Sequence, residues 1–546
     1  MIKVKTSNGI VGLDRTSDFV ASGGQADVFL YQGQAFKVFH DPSTMIPVGK
    51  IKELSVLKGN SDIVIPLDVL RDTRSDAPIG FITDFCEYTL PFAAMYSNDF
   101  WKDNGFSTDV NLVSNIIDKL TELFIFVHSK GKFAIGDPNP LNFLVKDGSF
   151  DKVYGIDTDS YGTPSYGVTA VAPDMKDYHT GRFGKEADRF GLAILIFTLY
   201  TGMSPYRPKH PDSRRITSDG IIDRMKKNLS VYHPNAKYPP NTRPLDIIPG
   251  SHARWLEDTF LHNKRNDPPD HCGDSAVSRI IYTVVPSSAL NIVEIEETGV
   301  DIIEHVYMEN TRRYRTTVAP DPFILFNNIP LKIQPKEGTL DVYPLSLDCK
   351  EVIIHDNTLF VISDTSITSV VLQSLGQRTL ACINQTWQIL PNATKVFNGL
   401  LISNILGKLH VYLPYTLNGE SNCPSLLVNE LAGHRVINAR RKGRLAVIIA
   451  SKDNITYRFI IRFNKYYEKY ECVVTEALST DINFTILKNG TYLLTRADGD
   501  MLVGNVASDA VKILKDTGLP AGATLTSEND TAMFFVGSKL YKISMK

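Results

Sequence analysis

Five strand-turn-strand units recur through the second half of the chain, and their spacing leaves few folds open. They begin at Asn357 (NTLFVISDTSITSVVL), Asn398 (NGLLISNILGKLHVYL), Gly443 (GRLAVIIASKDNITYRFII), Asn489 (NGTYLLTRADGDMLVGNV) and Asp530 (DTAMFFVGSKLYKIS). Successive starts are 41, 45, 46 and 41 residues apart. A single hairpin of this kind cannot bury its own apolar face in water. Paired strands at a period of about 40–45 residues solve that problem by packing as blades around a ring, which is a β-propeller. PFILFNNIPLKI from Pro322 reads as an earlier, weaker unit, so about six blades are expected, with five or seven as the neighbouring counts. Trp-Asp and Gly-His signatures of WD40 repeats are absent, so the expectation rests on period alone. The competing architecture is one or two β-sandwiches.

The first half has a different period. From about residue 105 to 270 the pattern is helical: Leu112, Ile116, Leu120, Phe124 and Val127 share one face of NLVSNIIDKLTELFIFVHSKG. His128, at the end of that helix, reads as a capping or core histidine. The longest apolar stretch, Leu192 to Tyr200, is too short to span a bilayer and fits a buried helix. Ahead of the helices, ASGGQADVFLYQGQAFKVFH (Ala21 to His40) reads as strand, Gly-containing turn, strand, turn and strand, with Lys37 inside the last strand. Gly23 and Gly24 lack Cβ atoms and can bring backbone N–H groups close to a polyphosphate.

At 546 residues the chain should hold two or more domains. Its formal net charge of −2 leaves no overall electrostatic footprint for nucleic acid or an anionic membrane. The basic piece ARRKGR, Ala439 to Arg444, reads as a solvated turn. The N-terminal MIKVKTSNGIVGLD reads as strand and turn, without a signal-peptide core. Cys86, Cys272, Cys349, Cys382, Cys423 and Cys472 are scattered without zinc spacing, which points to reduced thiols and a cytoplasmic location. Acidic turn residues such as Asp498 and Asp500 fit turn chemistry.

The chemistry-bearing stretch is IGDPNPLNFLV, Ile135 to Val145, followed by VYGIDTDSYG from Val153. Asp137 stands five residues before Asn142, and Asp157 closes the next apolar run. This spacing resembles the one that protein-kinase-like enzymes use to hold a hydroxyl-orienting carboxylate and two Mg²⁺ ligands around ATP. The neighbours fall in the same order. Lys37 follows Ala35 in an Ala-x-Lys pattern, and the amphipathic PVGKIKELSVLKG offers Glu53 as a helix carboxylate to hold it. Downstream come AVAPDM with Asp174, then EADRFGLAILIFTLYTGMSPY with Asp188 at its start, then RNDPP with Arg265.

Over about residues 20–270 the chain resembles the protein-kinase-like family, closest to a bacterial and phage branch with a Gly-Asp-x-Asn-Pro-x-Asn loop and an Asp-x-Asp-Ser motif. The resemblance implies a bilobal kinase-like fold, with an N-lobe over residues 1–88 and a C-lobe over 89–272. A linker over 273–290 would then lead to the propeller-like domain, 291–546. It implies ATP and Mg²⁺ (or Mn²⁺) as cofactors. Asp137, Lys37 and Glu53 would form the catalytic set, and Gly23, Gly24, Val28, Lys37, Asp84 and Cys86 the nucleotide site. Asn142 and Asp157 would be metal ligands. Asp159 either joins them or accepts a hydrogen bond from its own loop. Asp188 would hold the catalytic loop from beneath, and Arg265 would pair with Asp174.

Departures from the family pattern are specific. Ile135 and Gly136 replace the usual His-Arg, so a phosphorylated activation segment would lack its ion-pair partner. Thr158 and Asp159 replace Phe-Gly, Asn139 replaces a Lys, and Ala21 and Ala26 replace two loop glycines. The segment from Asp157 to Asp174 is short. The leading expectation is an ATP-dependent Ser/Thr protein kinase whose propeller docks a protein substrate or partner. The alternatives are a pseudokinase scaffold, and a kinase acting on a small-molecule acceptor.

Overall fold

The N-terminal strands pair into one antiparallel sheet. A computed structural model describes residues 1–106, 110–169, 171–208, 218–237, 242–271, 284, 286–308, 310–326, 329–332, 335–336, 339–376, 378–453, 455–477, 479–497 and 499–546. Strands β1 (Ile2–Thr6), β2 (Gly9–Leu13), β3 (Phe19–Ser22), β4 (Ala26–Tyr31), β5 (Gln34–Phe39), β6 (Asp68–Asp72) and β7 (Pro78–Asp84) lie in the order β2-β1-β6-β7-β5-β4-β3. Their side chains alternate between two apolar layers. Val4, Phe19, Phe29, Phe36 and Leu70 pack on one face, while Ala26, Phe39 and Phe81 join the main core on the other. Lys37 pairs with Val28 on one side and Phe81 on the other, in the middle of the sheet. A Cβ on Gly80 would lie 2.1 Å from the Lys37 carbonyl oxygen, so β5 and β7 approach as they do only with glycine there.

Below the sheet lies a mainly helical body. Its helices are α1 (Val48–Leu54), α2 (Asn98–Asp103), α3 (Val110–Ser129), α4 (Lys185–Thr201), α5 (Ser218–Lys226) and α6 (Gly250–Phe260). Ile116, Leu120, Phe124 and Val127 of α3 are buried, as their period predicts. From Phe190 to Thr201, α4 is buried on every side, which explains why LAILIFTLY is apolar all round. Among the described residues no helix is long and apolar enough to cross a membrane. A small sheet, β8 (Thr89–Pro91), β9 (Phe143–Lys146) and β10 (Val153–Gly155), carries the motif loops.

The second half is built of strands. Four-stranded antiparallel sheets follow one another along the chain, and each predicted repeat unit supplies the two central strands of one of them. The unit from Asn357 gives Thr358–Ile362 and Ser366–Leu375, and that from Gly443 gives Leu445–Lys452 and Ile455–Phe463. In the last sheet, Lys539–Met545 pairs with Leu290–Glu297, so the end of the chain is joined to the start of this half. The weak unit from Pro322 forms a two-stranded hairpin, Phe323–Phe326 with Ile329–Lys332. Pro330 has no N–H to extend that ladder.

One expectation is corrected. ARRKGR is not a free turn: Ala439 to Lys442 close the strand Arg435–Lys442, and Arg441 is buried on the Gly399 and Pro414 carbonyl oxygens. The two halves of the chain pack against each other. Ala93 and Leu141 share an apolar cluster with Ile437, Leu445, Val447 and Ile449. Arg440 pairs with Asp99 at 3.1 Å, and Asp481 accepts the Asn98 N–H at 2.7 Å. Residues 273–283 and 285 of the expected linker, together with Cys272 and Asp498, lie outside the described residues. The five described cysteines are free thiols.

Candidate active site

The loop that carries Asp137 is fixed from below. Asp188, in the first turn of α4 and almost wholly buried, accepts the N–H groups of Ile135 and Gly136 at 2.8 Å each. His128 Nε2 lies 2.8 Å from the same carboxylate, so it is a core histidine that anchors the loop support. Close packing completes the arrangement. A Cβ on Gly191 of α4 would come 2.1 Å from Pro138 Cγ, so the loop can sit on the helix only because that position is glycine.

Asp137 is buried above this support. Its Oδ1 accepts the Ala172 N–H at 3.0 Å, and its Oδ2 lies 3.3 Å from Asn142 Nδ2. Burial raises its pKa above the ordinary carboxylate value; the Ala172 N–H opposes that and the nearby Asp157 charge adds to it. Asn142 also donates to the Asp137 carbonyl oxygen at 3.2 Å, so the two residues hold each other across the tight turn between them.

Asp157 follows β10 in the left-handed conformation, at φ +60°. A non-glycine residue in this region stores strain, and such residues cluster at working sites. The chain after it is pinned by Thr158, whose hydroxyl donates to the Val64 carbonyl oxygen at 2.8 Å. Lys37 reaches across from β5. Its Nζ lies 2.8 Å from Asp157 Oδ1 and 3.0 Å from Asp159 Oδ2. The Lys37 charge holds Asp157 below the usual range, whereas burial dominates at Asp159 and raises it. Against its own burial, Lys37 is held well above the ordinary lysine value by the two carboxylates. The Asp157 side chain is about half exposed (48%), so this cluster opens to solvent.

Glu53 is a correction. It does not pair with Lys37; it accepts the Ser165 N–H at 3.1 Å, and hydrogen bonding from the Ser165 side chain, foremost, lowers its pKa. The residue of α1 that reaches the cluster is Lys50, which is buried and donates to the Asp159 carbonyl oxygen at 2.8 Å. Lys50 and Glu53 are three positions apart, so both lie on one helical face, and the sequence motif pointed to the wrong member. Arg265 is a second correction. Its guanidinium meets Asp177, at 2.6 Å and 3.0 Å, and not Asp174. The Asp177 side chain is fully buried, while Asp174 is exposed to solvent.

The remaining candidates surround the cluster at greater distance. Gly23 and Gly24 form the exposed turn between β3 and β4, with little around them: a Cβ on Gly24 would meet nothing within 4 Å. Val28 is the cross-strand neighbour of Lys37. Asp84 ends β7 opposite Gln34, and Cys86 follows it, its thiol pushed up to about 11 by burial. Among the described residues no group of three His, Cys, Asp or Glu side chains is arranged to hold a metal by itself. Asn142, Asp157 and Asp159 still fit Mg²⁺, which characteristically takes one or two carboxylates and completes its shell with water and phosphate oxygens.

No known family model matches the chain, and no curated protein matches it significantly. The functional reading therefore stands on the residues and their geometry.

Proposed function

We propose that the chain is an ATP- and Mg²⁺-dependent phosphotransferase of the Ser/Thr protein kinase type, with two kinase-like lobes and a C-terminal β-propeller that docks a protein substrate or partner. One observation carries this reading. Lys37 meets Asp157 and Asp159 from 120 residues away, beside an Asp137–Asn142 loop that Asp188 holds by two backbone bonds. An ordinary surface ion pair needs no such scaffold.

Phosphoryl transfer asks little covalent chemistry of a protein, so positioning and charge neutralisation carry the rate. Lys37 would meet phosphate oxygens when its carboxylate partners hold a metal. Asn142, Asp157 and Asp159 would hold Mg²⁺ (or Mn²⁺), which when bound supplies neutralisation of the phosphate charge. Asp137 would accept a hydrogen bond from the acceptor hydroxyl and take its proton, and its raised pKa suits that task. The propeller reading is supported by the succession of four-stranded sheets and by the pairing of Leu290–Glu297 with Lys539–Met545. Free thiols in all five described cysteines agree with a cytoplasmic location.

The second reading, a pseudokinase scaffold, is favoured by one feature: Glu53 faces Ser165 while both Lys37 partners are carboxylates of the metal motif. Labelled ATP with Mg²⁺ or Mn²⁺ and the purified chain, beside an Asp157→Ala control, separates the two. Transfer of label by wild type alone supports the kinase; no transfer with intact nucleotide binding supports the scaffold.

A further inference from the structure

A basic side chain of the second half reaches the candidate catalytic loop. Arg435 begins the strand Arg435–Lys442 and donates from Nη1 to the Leu141 carbonyl oxygen at 3.0 Å. Leu141 immediately precedes Asn142. The contact is packed in place, since the Leu141 side chain is buried with Ile437 and Leu445 of the second half. On the N-terminal sheet, Gly407 lies against Ser22, just before the Gly23–Gly24 turn, and Ala393 is buried in the apolar layer on the face away from the main core. The second half thus touches both the loop that carries Asn142 and the sheet that carries Lys37. Between these footholds runs the strand Thr394–Phe397, which carries Lys395.

The electrostatics agree with that placement. Burial, together with Arg435, pulls the Lys395 ammonium down to about 8. Both side chains are exposed to solvent. Arg435 makes no other hydrogen bond among the described residues, which leaves most of its planar fork of donors unused. In the first half the Lys37 ammonium is already held by the Asp157 and Asp159 carboxylates, Lys50 donates to the Asp159 carbonyl oxygen, and Asp137 adds a third carboxylate on the neighbouring loop. A polyphosphate entering such a site needs further positive charge.

We propose that Arg435, with Lys395 beside it, is a phosphate-binding group supplied in cis by the second half, and that it engages the terminal phosphate of a nucleoside triphosphate held in the first half. The inference rests on the phosphotransferase reading and deepens it: transfer depends on the second half being docked.

The test uses the full chain as wild type, Arg435→Gln, Lys395→Gln and Lys37→Ala, melted with MgADP and with MgATP and assayed for phosphoryl transfer. Wild type should be stabilised more by MgATP than by MgADP. Arg435→Gln should keep the MgADP shift, lose the excess given by MgATP, and transfer phosphate about a hundredfold more slowly or worse, as when a charge-stabilising donor is removed. Lys395→Gln should lose part of that excess. Arginine-selective labelling of wild type with phenylglyoxal needs no variant, and MgATP should protect Arg435 more than MgADP does. A folded Arg435→Gln with the full MgATP excess and wild-type rate, or equal labelling under both nucleotides, overturns the assignment while an inactive Lys37→Ala leaves the kinase reading standing. A wild type that neither binds nor transfers overturns both.

Discussion

The Asp188 carboxylate and the Gly136 amide are 2.8 Å apart across 52 residues of sequence, and with the Ile135 amide they tie the candidate catalytic loop to the most buried helix of the protein. Removing that carboxylate leaves two buried N–H groups and His128 without their partner. Asp188→Ala should therefore destabilise the fold by about 3–5 kcal/mol. Asp188→Asn, which keeps one acceptor oxygen, should cost less, about 1–3 kcal/mol. Urea unfolding of the two variants measures this; a loss under about 1 kcal/mol for the alanine variant would show that the loop is held by packing instead.

Arg265 and Asp177 form the second buried tie, and the neighbouring Asp174 serves as its control. Asp177→Ala should cost about 3–5 kcal/mol because it strands a buried guanidinium, whereas Asp174→Ala should stay within about 1 kcal/mol. The pH dependence follows from the sign of the shift. Arg265 outweighs burial and keeps Asp177 below its ordinary value. Its contribution is then complete above the unfolded carboxylate pKa, about 4, and disappears as pH falls through the lower folded value. Melting curves from neutral pH downward should show wild type and Asp177→Ala converging only in that acid range.

MgATP should raise the melting temperature of wild type, since a ligand that binds only the folded state stabilises it. Asp157→Ala should abolish the metal-dependent part of the shift. Asp137→Asn should bind MgATP nearly as wild type does while losing transfer by about 10²-fold or more. Wild-type activity in Asp137→Asn would mean that another group orients the acceptor. No shift at millimolar MgATP in wild type would move the scaffold reading first.

How much of this was legible in the sequence depended on whether partners are set by local spacing. Asp137 and Asn142 share one tight turn, and Asp157 follows the β9–β10 hairpin that leads from it, so their order along the chain already implies proximity. The central strands of the later sheets were legible for a similar reason: Leu445–Lys452 and its partners are runs bounded by polar turns at a steady period. Choices between near neighbours were not legible. Asp174 and Asp177 lie three residues apart, and only the path of the chain after Ala172 decides which one faces Arg265. Lys50 and Glu53 share a helix face, and the tilt of α1 sends the lysine inward. Arg435 carried no signal at all, because its place beside Leu141 comes from the packing of two halves of the molecule nearly 300 residues apart in sequence.

Activation should not require phosphorylation of Thr163, Ser165 or Thr169. Gly136 stands where an arginine would receive the phosphate, and Thr163 is buried. Phosphate on Ser165 would meet the carboxylate of Glu53, which already accepts the Ser165 N–H, and like charges repel there. Phosphatase-treated protein should keep its transfer rate. Loss of activity on dephosphorylation, restored by phosphate at any one of these positions, would refute this.

Deleting residues from Asp530 onward should do more damage than its length suggests. The deletion removes strands Thr531–Val536 and Lys539–Met545 from the middle of their sheet and leaves Leu290–Glu297 and Thr524–Glu528 without partners. It also strips Phe534 and Ile543 from the cluster around Met501 and Leu525, and Phe535 and Leu540 from that around Ile302. Unpaired edges beside newly exposed apolar surface recruit other chains. The truncated protein should therefore elute as aggregates on size exclusion. Its defect should reach the first half as well, because Phe535 lies under the Lys102 ammonium at 3.7 Å, next to the Asp99–Arg440 pair that joins the halves. A soluble truncated chain with the wild-type melting curve would show that the second half does not depend on joining its last strand to its first.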